Sequence, residues 1–185
     1  RSSLDSHKGI HGYYSVHVKH KKPTPSKYKL YECSVQSPNW QVDYLPQFHR
    51  WLTKKPLHSL REDFCGSGKI SCEWVKKSKK HTALGLDLDT EVLDYANQVN
   101  KKELDSEQQK RVRFIRQDVL KPTKEKFDSI GAYNFSFFVF LDRKTLMKYA
   151  KATFNSLKPK GTLFLELSGG PGFTETDVET RKVRV

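Results

Sequence analysis

Residues 60–74, LREDFCGSGKISCEW, constrain this chain more than any other segment. A short strand-like run ends on two acids, Glu62 and Asp63. Two glycines, Gly66 and Gly68, follow at once, and an apolar-periodic helix starts directly after them. A strand, a glycine turn and a helix in so few residues open a βαβ unit. Glycine reaches backbone conformations that other residues resist, and it leaves room for a ligand against the main chain. The free N–H groups at the start of the helix attract an anionic group.

From residue 57 the pattern alternates. LHSLRE reads as a strand, GKISCEWVKKS as a helix with Ile70, Trp74 and Val75 apolar, and TALGLD as a strand. TEVLDYANQVNKKELD reads as a helix capped by Asp89, with Val92, Leu93, Ala96 and Val99 inward. VRFIRQD and FDSIGAYNF are two more strands. RKTLMKYAKATFNSL is a helix capped by Asp142, with Leu146, Ala150, Phe154 and Leu157 on one stripe. Pro159 and Gly161 then turn the chain into a fifth strand, GTLFLEL. Strands separated by helices predict a doubly wound α/β fold, a mainly parallel sheet with helices on both faces. Right-handed crossovers bring the strand C-termini to one edge, where ligands bind.

Upstream, residues 1–36 read as a partly irregular N-terminal extension. KHKKPTPSK is linker-like, and YKLYECSV is a short ordered segment. Residues 37–185 form the domain. It opens with a helix capped by Ser37, with Pro38 in the first turn. Trp40, Tyr44, Phe48, Trp51 and Leu52 share one face of that helix, and Pro46 kinks or splits it.

The 185 residues suffice for one domain with a sizeable core. The chain opens on Arg1 and not on Met, as a fragment of a longer polypeptide does. No apolar run reaches the ~18 residues of a membrane span, and no charged-then-apolar leader is visible at the start. Three unpaired cysteines, Cys33, Cys65 and Cys72, favour a reducing, intracellular compartment. Neither the cysteines nor the histidines stand at metal-ligand spacing, so no metal is expected. The formal charge of +13 can draw phosphate-rich partners such as nucleic acid. Its lysine clusters are scattered, however, and a solvated basic surface is the favoured reading.

Acids recur at successive strand ends. Asp87 closes LGLD, 19 residues after Gly68, and Asp118 follows the third strand. A carboxylate at the second position can accept hydrogen bonds from both ribose hydroxyls. A Gly-rich turn followed by two strand-end acids suggests a nucleoside-containing cofactor. A dinucleotide turn wants G-x-G-x-x-G, and the third glycine is here Ser71. The series EDFCGSG instead resembles motif I of the class I S-adenosylmethionine-dependent methyltransferases, an acid followed by G-C-G-x-G. Phe64 stands where that family has its first glycine. The upstream YKLYECSVQSPNWQVDYL and the phrase REDFCGSGKISCEWV resemble one branch of the superfamily, and the likeness spans residues 28–172.

The resemblance implies roles. Cys65, Gly66 and Gly68 lie in the turn that approaches the methionine and ribose of S-adenosylmethionine, and Glu62 helps hold the amino end. Asp87 takes the ribose hydroxyls and Leu88 packs on the adenine. Asp118 bonds the adenine amino group, with Val119 beside it. Asn134 and Phe135 occupy motif IV and face the transferred methyl. Tyr31 and Gln36 close over the cofactor. The product would be S-adenosylhomocysteine and the acceptor is undetermined. The Asn-Pro-Pro-aromatic motif IV of amino-directed nucleic-acid enzymes is absent: Asn134-Phe135-Ser136-Phe137 lacks both prolines. Cys65 reads as packing, since a reactive thiol needs an exposed electropositive setting. Little after Gly172 reads as the helix and strand pair with which the family completes its sheet. The rival reading is a non-catalytic cofactor-binding or nucleic-acid-docking module on a degenerate fold.

Overall fold

A computed structural model describes residues 25–34, 37–170 and 172. Five strands, β1 (Ser59–Asp63), β2 (Thr82–Asp87), β3 (Val112–Arg116), β4 (Phe127–Ala132) and β5 (Leu157–Leu165), form one sheet in the order β3-β2-β1-β4-β5. Every pairing is parallel. The order reverses between β1 and β4, and the strand C-termini there flank the glycine turn.

Helices cover the two faces unequally. On one face lie α2 (Pro38–Thr53), α3 (Lys69–Lys77) and α4 (Thr90–Tyr95). Val42, Leu45, Ile70, Trp74, Val75, Leu93 and Ala96 from these helices pack with Leu60, Ala83, Val112 and Phe114 of the sheet. The other face holds α6 (Arg143–Ser156), whose Tyr149 packs with Leu84, Leu86, Ile130 and Ala132. The link from β3 to β4 carries no helix, so this second face has a thinner cover than the expected doubly wound layering. Among the described residues two further α-helices are short: α1 (Lys27–Ser34), over the expected ordered segment YKLYECSV, and α5 (Ser106–Lys110) between α4 and β3.

The expected caps on α4 and α6 are present. Asp89 accepts from Glu91 N and Asp142 from Thr145 N at 2.8 Å. Ser37 precedes α2 but makes no side-chain cap bond. Pro46 neither splits nor ends that helix, which runs unbroken to Thr53; Gln47 Nε2 donates to Asp43 O beside the proline. Pro159 and Gly161 do not make a turn. Both lie within β5, where the register against β4 shifts between Phe127 and Ser129 and Lys160 takes a positive φ.

One apolar expectation, Val99, is corrected, and two apolar stripes face outward. Trp40, Tyr44, Phe48, Trp51 and Leu52 do share a face of α2, but it is exposed, and Gln41, Val42, Leu45 and His49 point inward. On α6 the stripe of Leu146, Ala150 and Phe154 is exposed, while Tyr149, Ala152, Thr153 and Ser156 are buried. Val99 is exposed because α4 widens after Tyr95 into a π turn, Ala96–Asn100, in which Lys101 N bonds Ala96 O. The wider turn swings Val99 off the packed face and brings Asn100 onto it.

Several lysines of the basic clusters are ion-paired, among them Lys76 with Glu73, Lys77 with Asp43 and Lys158 with Asp128. Such surface pairs contribute about 0–1 kcal/mol each.

Candidate active site

β1 ends in a turn with three left-handed residues: Phe64 (φ 56°), Gly66 (φ 52°) and Gly68 (φ 69°). A non-glycine residue in that conformation costs about 1–2 kcal/mol. At Phe64 the ring offsets this by packing 5.7 Å from Phe140 and 6.3 Å from Tyr149. The two glycines do different jobs. A Cβ on Gly66 would meet nothing within 4 Å, whereas one on Gly68 would lie 2.2 Å from the ring of buried Phe114. Gly66 therefore opens onto a cavity, and Gly68 lets helix and sheet pack closely. Gly68→Ala is expected to cost about 2–4 kcal/mol, combining left-handed strain with displacement of Phe114. Urea unfolding measures it, and a loss below about 1 kcal/mol would contradict this packing role.

The cavity has a volume of about 400 Å³. Its floor is Phe64, Gly66 and Ser67; Val92 lies on one side and Asn134 and Ser136, past β4, on the other; α1 supplies the outer wall through Lys27, Tyr28 and Tyr31. Asp87 ends β2 beside the floor. Its Oδ2 accepts from Gly66 N at 2.8 Å, and Oδ1 accepts from Leu88 N and Asp89 N at 2.8 and 3.0 Å. A carboxylate offers about four lone-pair sites, so acceptor capacity remains at the lip of the cavity. Ser67 is buried, and its Oγ has no hydrogen-bond partner among the described residues.

Not every expected site residue reaches this cavity. Tyr31, Gly66 and Asn134 line it, and Asp87 touches its floor. Glu62 lies beneath, 2% exposed, with Oε2 accepting from Ser71 N at 3.0 Å and Ser71 Oγ at 2.5 Å. It ties the first turn of α3 to the sheet. Cys65 is buried in the same layer, and desolvation, reinforced by Glu62, Asp87 and Asp63, pushes its thiol pKa well up. That setting fits packing, not nucleophilic attack. Leu88 is exposed past β2. Asp118 accepts from Leu120 N at 2.9 Å, and Val119 packs in the core of the second face. Phe135, like Asn134, is left-handed, and its half-exposed ring lies 6.2 Å from that of Phe138. Gln36 lies outside the described residues.

Burial raises the Glu62 carboxyl to about 7, with the Ser71 hydrogen bonds pulling the other way. A raised native pKa contributes stability below the ordinary value of 4.5 and loses it as pH climbs through 7. Over that window wild type should lose on the order of 3 kcal/mol that Glu62→Gln retains. Parallel pH series of chemical unfolding check this; coincident slopes for the two proteins would refute it.

Sequence reasoning missed three features. The first is how α1 is held and which of its residues, Lys27 and Tyr28, wall the site beside the expected Tyr31. Its Glu32 is buried and accepts from Asn100 Nδ2 at 2.6 Å, and the same amide donates to Ser67 O at 2.9 Å. Tyr28 packs 4.9 Å from Tyr95. A helix held by single polar bonds leaves no apolar period to read. The second is Ser67 and Ser136, polar residues of turns. The third is Glu166. Past the end of β5, its N–H donates to Ala132 O at 3.0 Å and its Oε2 accepts from Asn134 N at 2.9 Å. The signal was there: an acid in FLELSGG repeats the strand-end acids of REDF and LGLD. Among the described residues no group of three His, Cys, Asp or Glu side chains could hold a metal ion.

A parallel sheet with its glycine turn, strand-end acid and open cavity at the switch point defines a nucleotide-binding α/β domain. A family profile described as a methyltransferase domain matches residues 64–161, and the chain belongs to that family. Comparison with curated proteins finds no match. Among solved structures, the sugar N-methyltransferase KedS8 from Streptoalloteichus superposes with a TM-score of 0.64 at 18% identity, covering 91% of this chain and 62% of that one. The glycopeptide N-methyltransferase MtfA complexed with sinefungin gives 0.63 at 14% identity, covering 80% and 62%. CalS10, an S-adenosylmethionine-bound amino pentose methyltransferase from Micromonospora echinaspora, gives 0.62 at 19% identity, covering 82% and 60%. These likenesses establish the fold. This chain spans somewhat less than two thirds of each of those proteins.

Proposed function

We propose that this domain binds S-adenosylmethionine in the cavity above the Gly66 turn and transfers the methyl group to a nucleophilic acceptor, leaving S-adenosylhomocysteine. The observation that carries this reading is the Asp87 carboxylate, hydrogen-bonded to Gly66 N at the lip of the roughly 400 Å³ cavity. The family match and the cofactor complexes of the structural neighbours support it.

The residues present fit the group. Gly66 has no neighbour where a Cβ would stand, so a ligand can press against the backbone. The spare acceptor site on Asp87 suits a ribose hydroxyl, and the unpartnered Ser67 Oγ suits a polar group of the tail. Tyr28 and Tyr31 of α1 line the outer side. When bound, the sulfonium supplies an already activated methyl, so the protein's task is alignment and desolvation. Asn134, on the far wall, is placed to orient the acceptor. Isothermal titration tests the reading. One equivalent of S-adenosylhomocysteine should bind, and NADH should not compete. Competition by NADH would return the dinucleotide reading, and no binding of S-adenosylhomocysteine would remove the cofactor assignment.

A further inference from the structure

A second cavity, of about 260 Å³, adjoins the first at the C-terminal ends of β4 and β5. Trp40, Tyr44 and Phe48 of α2 form its aromatic wall, with ring centroids 5.1 and 6.3 Å apart in succession. Gln41, Tyr133 and Glu166 also line it. Gln41 and Tyr133 are each only 5% exposed, yet Gln41 Oε1 and Tyr133 Oη have no hydrogen-bond partner among the described residues. Leaving such a buried polar atom unpaired costs about 1–3 kcal/mol. Both atoms are closed off from solvent, and Tyr133 Oη packs over Gly131, so the hollow meets a ligand through its aromatic wall and Glu166.

Glu166 joins the two cavities. It lines the second, while its Oε2 accepts from the backbone of Asn134, which lines the first. Burial raises the pKa of Tyr31, on the wall of the first cavity, and the Glu166 charge raises it further. Of the other acids at this sheet edge, Glu62 is engaged by Ser71 and Asp63 by Arg61 and Tyr149, while Asp87 is assigned to the cofactor ribose. Glu166 makes no ion pair, and its Oε1 makes no hydrogen bond, among the described residues. A carboxylate with one oxygen unengaged, in a hollow it shares with three aromatic side chains, attracts an ammonium and gives an alcohol much less.

Resting on the cofactor reading above, we infer that this aromatic groove receives the methyl acceptor, that the acceptor is an amine, and that Glu166 holds its nitrogen at the junction of the two cavities. The amine binds as its ammonium, the Glu166 carboxylate takes one proton from it and passes that proton to water, and the neutral amine then reacts. Its lone pair forms the N–C bond to the methyl carbon as the C–S bond breaks, and the bonding pair stays on sulfur as a thioether. The resulting ammonium passes its proton to the Glu166 carboxylate and on to water. Oε1 is the group placed to accept it.

The test uses the full chain carrying Trp51→Phe, which leaves Trp40 as the exposed tryptophan; Trp74 is buried. Cyclohexylammonium and cyclohexanol, alike in shape, are titrated while tryptophan emission is followed. The amine should bind at least about tenfold more tightly than the alcohol, and Glu166→Gln should abolish that preference while the affinity for the alcohol stays within about twofold. Equal binding of both probes, a preference that survives Glu166→Gln, or no change in emission because another polypeptide segment already covers Trp40 would each overturn the inference. S-adenosylhomocysteine is titrated into wild type and Glu166→Gln in parallel. Unchanged affinity is expected; a parallel collapse in the variant would make Glu166 a structural residue and overturn its role as acceptor ligand. Failure of wild type to bind S-adenosylhomocysteine strikes the cofactor reading, and the fluorescence comparison still decides the amine groove separately.

Discussion

Asp63→Ala is expected to destabilise the fold by about 3–5 kcal/mol, the cost of stranding a buried charge. Asp63 and Arg61 are both fully buried. The guanidinium holds the carboxylate in two parallel bonds, Nε to Oδ1 at 2.7 Å and Nη2 to Oδ2 at 2.9 Å, and Tyr149 Oη donates to Oδ2 at 2.9 Å. Burial pushes the Asp63 pKa up while Arg61 pulls it down. Without Asp63, the nearest side-chain partner left to Arg61 is Thr123 Oγ1 at 3.4 Å. At about 2–4 °C per kcal/mol for a chain of this size, the midpoint should fall by roughly 10 °C or more. Removing both charges, as Arg61→Met with Asp63→Leu, should recover most of the loss, because an apolar pair incurs no desolvation penalty. A single-variant loss under about 1 kcal/mol would show that the pair is not what holds this end of β1. The pair matters to the site because Phe64 and the glycine turn begin at the next residue.

Asp87→Ala should weaken S-adenosylhomocysteine binding about 100-fold or more. One hydrogen bond from a ribose hydroxyl to the acceptor site left on this charged group accounts for about 10–100-fold of that, at about 1.5–3 kcal/mol, and the loosened turn for the rest. The carboxylate also accepts from Gly66, Leu88 and Asp89 N–H groups, so alanine loosens the turn as well. Asp87→Asn preserves shape and separates the two effects: it should keep most of the stability and still lose most of the affinity. Calorimetry at a temperature where all three proteins are folded provides the comparison. Wild-type affinity in both variants would mean that the ribose is held elsewhere.

The parts of the fold legible in the sequence were those fixed by local chemistry. TALGLD is a strand over its whole length, Asp89 and Asp142 cap their helices, and Gly66 and Gly68 are left-handed. What was not legible is which way a regular element faces. Spacing put Trp40, Tyr44 and Phe48 on one side of α2, but only the sheet decides which side is inward. There Gln41 and His49 are buried, and the His49 ring bonds Thr162 Oγ1 at 2.8 Å. The same holds for Leu146 and Phe154 on α6, where Tyr149 turns inward to reach Asp63. Val99 failed because a π turn breaks the helical period. At the site, the strand-end acids were found, but their duties were not. Glu62 serves Ser71 and Asp63 serves Arg61, while Glu166, which meets Asn134 only after the chain folds, lines the second cavity.

A crystal structure of this chain with S-adenosylhomocysteine tests the central claim most directly. A ribose hydroxyl should lie within hydrogen-bond distance of the Asp87 carboxylate, the homocysteine tail should cross the backbone at Gly66, and Tyr31 should cover the ligand. A nucleoside seated away from Asp87, or a tail that avoids the Gly66 turn, would contradict the account.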